Sequence, residues 1–300
     1  MDQADQLRKL VSKHTKVRKV SRVITVTSGK GGVGKSTLSV NLAICLARLG
    51  KRVIILDADF GLANIEVMLG IRPQFNLADL MFRGKDLKDI ITPGPENIGF
   101  ISGGSGIQEL SRLTRDQVVY LVSKLYELDE MADVIIVDTG AGIADSVLEF
   151  LSASNEVLIV ATLEPTSITD AYALLKTLNR KSDFSKDSTV IRMVANRVKN
   201  SEEGEGLYRQ LSLVVDKFLG IRMEYLGDIP QDANSSKAIM AQEPLMISYS
   251  NSAASKSISK IAAKIAKAEP AESAGSGITQ LFNRWMKSIY KKKKSDEKSS

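Results

Sequence analysis

The chain has 300 residues, a net charge of +6, 43% hydrophobic residues, one cysteine (Cys45) and one histidine (His14). That length builds one large domain with a real core and short appendages. A lone cysteine excludes a disulfide framework and a subunit-bridging iron–sulfur cluster, and it points to a reducing, cytoplasmic compartment. A lone histidine leaves no metal centre or triad that depends on that residue. No run of 18 apolar residues could span a membrane, and the N-terminus lacks the apolar stretch of a signal peptide. Residues 1–22 and 278–300 each carry seven Lys/Arg against two acids, so each end supplies +5 and the body is left at −4. A mildly acidic body disfavours non-specific DNA binding, and no specific nucleic-acid partner is expected.

Taken in order, Val23-Ile24-Thr25-Val26-Thr27 reads as a buried strand and Leu38 to Leu49 as a helix with Cys45 on its apolar face. A second buried strand, Arg52 to Leu56, ends in Asp57-Ala58-Asp59. Ile98 to Ile101 is a short strand before Ser102-Gly103-Gly104, and Arg115 to Leu128 has helical periodicity. Val134 to Val137 is β-branched and ends at Asp138; Glu156 to Ala161 and Val190 to Ala195 complete the strands, and Lys256 to Ala268 is the last helix of the body. Near-continuous Val/Ile strands alternating with helices predict an α/β fold: one domain, a mostly parallel sheet and helices on both faces, with terminal appendages.

Between the first strand and its helix lies Ser28-Gly29-Lys30-Gly31-Gly32-Val33-Gly34-Lys35-Ser36-Thr37. The frame Gly29-x4-Gly34-Lys35-Ser36 is a phosphate-binding P-loop, whose glycines turn backbone N–H groups inward where a Cβ would collide. Lys35 is placed to reach the β- and γ-phosphates, and the Ser36 hydroxyl to ligate Mg²⁺. Lys30 is a second cation that an ordinary P-loop does not need. Three acids fall at strand ends, where α/β sheets collect ligands: Asp57, Asp59 and Asp138. Asp138 follows four apolar β-formers, as a Walker B aspartate does.

These stretches resemble a family. Lys30 to Thr37, Asp57-Ala-Asp-Phe-Gly-Leu-Ala-Asn64 and Asp138-Thr-Gly-Ala-Gly142 are similar to the deviant Walker A, switch I and switch II motifs of MinD/ParA-type ATPases. The resemblance covers roughly residues 22–250 and implies slow, switch-like ATP hydrolysis with Mg²⁺. It implies that Lys30 reaches across a face-to-face homodimer to the partner's phosphates, that Asp59 orients the attacking water and that Asp57 contacts the Mg²⁺ shell. It also implies that Asn196-Arg197 and Pro230-Gln231-Asp232 hold the adenine. The expected nucleotide-binding set is therefore Gly29 to Thr37 with Asn196, Arg197, Pro230 and Asp232. Lys30, Lys35 and Asp59 would be catalytic, and Ser36, Asp57 and Asp138 would serve the metal.

The two ends carry separate signals. In residues 278–294, Ile278, Leu281, Phe282, Trp285 and Ile289 recur at three- and four-residue spacing beside Arg284, Lys287 and Lys291 to Lys294. This is the pattern of an interfacial helix on an anionic membrane, and its alternative is a helix that docks its stripe on the core. Glu269 to Gly277 reads as a flexible linker. At the other end, Asp2-Gln3-Ala4, Leu7 and Arg8 are similar to the activator motif of the flagellar-number ATPases of the FlhG type (also called YlxH or FleN). In that family the segment stimulates the SRP-type GTPase FlhF, and the resemblance also implies docking to flagellar C-ring components. The expected organisation is a basic activator segment (1–21), a MinD-like ATPase domain (22–268), a linker (269–277), an amphipathic membrane-targeting helix (278–294) and a disordered tail (295–300). The expected protein is cytoplasmic and reversibly bound to the inner face of the membrane. A MinD-type division-site regulator is the alternative, followed by a ParA-type DNA segregation ATPase and a catalytically idle scaffold. The intact Lys35, Asp57, Asp59 and Asp138 count against the last.

Overall fold

A computed structural model describes residues 20–59, 64–104, 115–268 and 277–286. The sheet comprises β1 (Arg22–Ser28), β2 (Val53–Ala58), β3 (Thr92–Pro93), β4 (Gly99–Ser102), β5 (Val134–Ala141), β6 (Glu156–Ala161), β7 (Val190–Val198) and β8 (Met223–Pro230). The order is β3-β4-β2-β5-β1-β6-β7-β8, and only the two-residue edge strand β3 runs antiparallel. All residues of β1, β2 and β6 are buried, which is why these runs are apolar without alternation.

Helices cover both faces. Ile24, Val26, Ile55 and Ile136 pack with α1 (Lys35–Arg48) and the late helix Ala253–Lys267 in one cluster. The neighbouring residues Val23, Ile54, Leu56 and Ile135 point the other way and meet Leu121, Leu125 and Leu128 of Arg115–Met131. A third cluster joins β6 and β7 to Pro165–Asn179 and Ser201–Leu219. The remaining elements are numbered in chain order: α2 (Asn64–Leu69), α3 (Leu77–Phe82), α4 (Leu87–Ile90), α5 (Arg115–Met131), α6 (Asp145–Ala153), α7 (Pro165–Asn179), α8 (Ser201–Leu219), α9 (Ala233–Met240), α10 (Leu245–Ser248) and α11 (Ala253–Lys267).

The expected strands are present, with two differences that matter. β2 and β5 run on past their apolar residues, so Asp57 and Asp138 lie inside the sheet and face each other in register. β8 escapes a periodicity reading: Met-Glu-Tyr-Leu-Gly-Asp-Ile-Pro holds few β-branched residues, and Gly227 (φ 154°) sits at a register shift beside β7. It forms because β7 offers an unpaired edge and α11 packs over it.

Residues 278–286 form a helix, α12, and in this structure its apolar stripe lies against the body of the domain, the alternative the sequence left open. Ile278, Leu281, Phe282, Trp285 and Met286 are at most 3% exposed and pack with α5 and α6. Trp285 stacks on Phe150 with ring centroids 4.7 Å apart, and Phe282 meets Phe150 edge-on at 5.9 Å. The stripe has a receptor because α5 and α6 present apolar residues, among them Leu121, Leu125, Leu128 and Phe150, that pack against it. Asp129 of α5 caps α12 from outside: its carboxylate accepts the Ile278 N–H (2.9 Å), the Thr279 N–H (3.2 Å) and the Thr279 hydroxyl (2.6 Å). Gly277 permits this approach, since a Cβ there would lie 2.5 Å from Asp129 Oδ1. Ile289, the linker segment 269–276, the tail and the segment 1–19 with Asp2, Gln3, Ala4, Leu7 and Arg8 lie outside the described residues.

Candidate nucleotide site

β1 delivers the chain at the carboxyl edge of the sheet, and the loop that follows is shaped by glycine. Gly32 (φ 77°) and Gly34 (φ 95°) adopt left-handed backbone that side chains resist. A Cβ on Gly34 would also stand 2.3 Å from Asn196 Nδ2. That amide donates to the Val33 carbonyl at 2.7 Å and so ties the loop to β7. A Cβ on Gly29 would collide with the backbone of Asp170 in α7 at 2.2 Å. The first turn of α1 has no side-chain cap, so its N–H groups remain available to an anion.

In front of this turn lies a cavity of about 790 Å³, lined by Gly31, Gly32, Gly34, Lys35, Ser36 and Thr37 and walled by Asp59, Asn64, Gly140 and Arg197. A second cavity of about 450 Å³ shares Gly34, Thr37 and Arg197 and adds Asn196, Pro230, Gln231 and Asp232. The two share lining residues, one at the loop and one between β7, β8 and α9, an arrangement that suits the phosphates and base of a nucleoside triphosphate. Arg197 holds φ 58°, a rare conformation for a side-chain-bearing residue, with its N–H on Asn196 Oδ1 at 2.9 Å. Asp232 lines the second cavity, but its carboxylate accepts the N–H groups of Asn234 (2.9 Å) and Ala254 (3.2 Å). Burial opposes its charge, yet those hydrogen bonds hold it below the usual carboxylate range. It builds the wall that shapes the pocket.

Behind the loop, Lys35 is buried and its ammonium contacts Asp138 Oδ2 at 3.2 Å and Ser36 Oγ at 3.3 Å. Ser39, one turn on, donates to Asp138 Oδ1 at 2.7 Å. Asp138 is fully buried, and burial pushes its carboxyl up while Lys35 and the hydroxyls pull it down. Asp57 is pushed up to about 8, first by burial and then by the neighbouring charges of Asp138 and Asp59. Two carboxyls side by side with one buried ammonium make a negative pole that favours a cation. Among the described residues no group of three His, Cys, Asp or Glu forms a closed metal cage. The oxygen donors present, the Ser36 hydroxyl and the Asp57 and Asp138 carboxyls, fit Mg²⁺, which takes oxygen ligands from one or two carboxylates, water and substrate phosphates. Ser36 would hold the ion and Asp57 and Asp138 its water; bound there, it neutralises charge on the phosphates.

Asp59 borders the cavity, with its N–H on Asp57 Oδ1 at 3.0 Å and the Asn64 amide 3.4 Å from its Oδ2. Lys30 is turned away, onto Glu164 Oε2 (2.6 Å) and Thr166 Oγ1 (2.7 Å). Val33 is a core residue, 3% exposed. Of the expected set, Val33 and Gly29 therefore shape the loop from behind. Sequence reasoning missed Ser39, Glu164 and Thr166. Ser39 had a signal in its four-residue spacing from Lys35, whereas the last two come near the loop only through packing of α7.

A glycine cradle at a helix N-terminus, a buried lysine and paired strand-end carboxylates on a parallel sheet define a P-loop NTPase. The profile of the ParA family, described as the NUBPL iron-transfer P-loop NTPases, matches residues 19–266, and the chain belongs to this ParA/MinD family. It is an ATPase. Iron transfer through thiolates has no counterpart here, because Cys45 is the one cysteine and is buried. Among similar proteins, the antiactivator FleN of Pseudomonas aeruginosa is 42% identical over 244 residues, covering 81% of this chain and 86% of FleN. The flagellum site-determining protein YlxH of Helicobacter pylori is 34% identical over 275 residues, covering 89% and 90%. The septum site-determining protein MinD of Pyrococcus horikoshii OT3, solved with Mg-ADP, shares the fold with a TM-score of 0.64 at 22% identity, covering 82% and 96%.

Proposed function

We propose that this ATPase is a nucleotide-switched regulator of flagellar number and placement. The observation that carries the reading is the similarity to FleN, at 42% identity across four-fifths of the chain, and YlxH supports it with a second flagellar relative. A division-site role is less favoured, since FleN is 42% identical whereas the septum site-determining protein MinD of Helicobacter pylori is 30% identical over 230 residues.

In this reading two ATP-bound copies pair face to face. Lys30 of each leaves its own chain and neutralises the other's γ-phosphate. Asp59 orients water for in-line attack while Lys30 and Lys35 stabilise the transferred charge. Loss of the γ-phosphate releases the contacts that joined the copies. The N-terminal Asp2, Gln3, Ala4, Leu7 and Arg8 would stimulate an FlhF-like GTPase, and flagellar C-ring components would be further partners. Membrane binding by 278–294 would require α12 to leave its groove. The balance allows it: burying five large side chains contributes about 10 kcal/mol, and ordering a short helix costs a similar amount. The Trp285 indole N–H is buried without a hydrogen-bond partner among the described residues, which costs about 1–3 kcal/mol while docked. An anionic surface would welcome the same indole and the lysines beside it.

The direct test is a count of flagella in cells of the source organism. Deletion should change their number or position, and Lys30→Ala should fail to restore it. A normal count in the deletion strain overturns the proposal.

A further inference from the structure

Lys30 is the cation that sets this loop apart, and in the structure it is engaged by its own chain. Its ammonium donates to Glu164 Oε2 at 2.6 Å and to Thr166 Oγ1 at 2.7 Å. Both acceptors belong to the start of α7, where Glu164 is the N-cap residue. A carboxylate in that position commonly turns onto the helix's own N–H groups. Glu164 makes no such capping bond, and Pro165 follows it as the first helical residue. Its carboxylate points across to the P-loop instead. Lys30, with Arg197 contributing from the cavity wall, holds that carboxyl below the usual range. The pair is partly exposed, with Lys30 at 35% and Glu164 at 55%. An ion pair so exposed is modest and readily exchanged. A permanent structural bridge would be buried; this one is reachable by a competing anion.

We propose that Glu164 and Thr166 form a cis rest for Lys30, which a phosphate of the partner's nucleotide must outcompete before two copies can join. The proposal rests on the trans role given to Lys30 above. Glu164 then acts as a positioning residue that sets the threshold of pairing without touching nucleotide. An exposed pair of this kind shifts an equilibrium by up to about fivefold, and two are broken per dimer, so removing the carboxylate should tighten dimerisation by about tenfold.

The experiment titrates full-length protein with a non-hydrolysable ATP analogue and reads dimer formation by sedimentation velocity, with binding of a fluorescent ATP analogue to the monomer measured in parallel. Glu164→Gln should dimerise at about tenfold lower concentration, with monomer affinity for the analogue unchanged, and the difference from the parent should shrink as salt is raised. Thr166→Ala should move the same way by a smaller amount. Lys30→Ala should not dimerise, and Lys30→Ala with Glu164→Gln should match Lys30→Ala alone. If Lys30→Ala abolishes pairing while Glu164→Gln pairs no better than the parent, the cis rest is overturned and the trans role stands. If Lys30→Ala pairs like the parent, both fall.

Discussion

Asp57 and Asp138 stand opposite each other in adjacent parallel strands, and Lys35 offers them a buried positive charge at that depth. The result is a carboxyl at Asp57 whose folded pKa of about 8 lies far above its ordinary 3.8. Below about pH 3 the group is protonated whether the chain is folded or not, so it contributes little to the pH dependence of stability. As pH rises toward 8 the unfolded state gives up the proton and the folded state keeps it, so folding stability falls over that window and then levels. Asp57→Asn should therefore stabilise the protein in Mg²⁺-free buffer by more than about 1 kcal/mol at pH 7, with the gain shrinking toward zero as pH falls to about 3. Urea unfolding at several pH values checks this; a gain independent of pH would place the strain elsewhere. The same exchange should depress Mg²⁺-dependent ATP turnover, because a site that tolerates a neutral group without the ion needs the carboxylate with it.

Among the elements, α12 is the one whose position hangs on few groups. Asp129 satisfies N–H groups at its first turn, a cap supplied across 149 and 150 positions of sequence. Asp129→Ala removes a cap worth about 1–2 kcal/mol from a helix whose docking is nearly balanced. Trp285 is the chain's one tryptophan and lies 2% exposed in the groove. Its fluorescence should shift to longer wavelength in Asp129→Ala and become more accessible to acrylamide. Unchanged emission would mean that the apolar contacts alone hold the helix. α1 is the contrary case: Leu38, Leu42, Ile44 and Leu46 are each at most 1% exposed, so the helix under the P-loop is fixed by the core it lies in.

At the scale of the whole molecule, the nucleotide cavity and the α12 cap stand at opposite ends of the strands. The P-loop follows the last residue of β1, whereas Ser21, just before its first residue, donates to Asp129. An ATP-dependent dimer would thus join at one pole and offer two α12 segments elsewhere. Two weak membrane contacts on one particle raise the effective concentration of the second and strengthen binding by a factor of about 10² or more. Full-length protein should co-sediment with anionic vesicles when given a non-hydrolysable ATP analogue and much less without it. A variant truncated before residue 278 should remain in the supernatant. Equal sedimentation of the truncated form would exclude α12 as the anchor.

The domain class and the chemistry of the phosphate site follow from local patterns in the amino-acid sequence. A P-loop is a contiguous run whose glycines and lysine act within a few residues of one another, and buried parallel strands advertise themselves as Val/Ile runs. Asp57, Asp59 and Asp138 were legible because strand ends are where such sheets place ligands. Tertiary structure decided the rest. β8 lacks a local signature and exists because β7 has an open edge. The apolar stripe of residues 278–286 looks the same whether it faces lipid or core, and only the groove between α5 and α6 chooses. The engagement of Lys30 by Glu164 joins residues 134 positions apart, and no local pattern encodes a contact made by packing one helix against a loop.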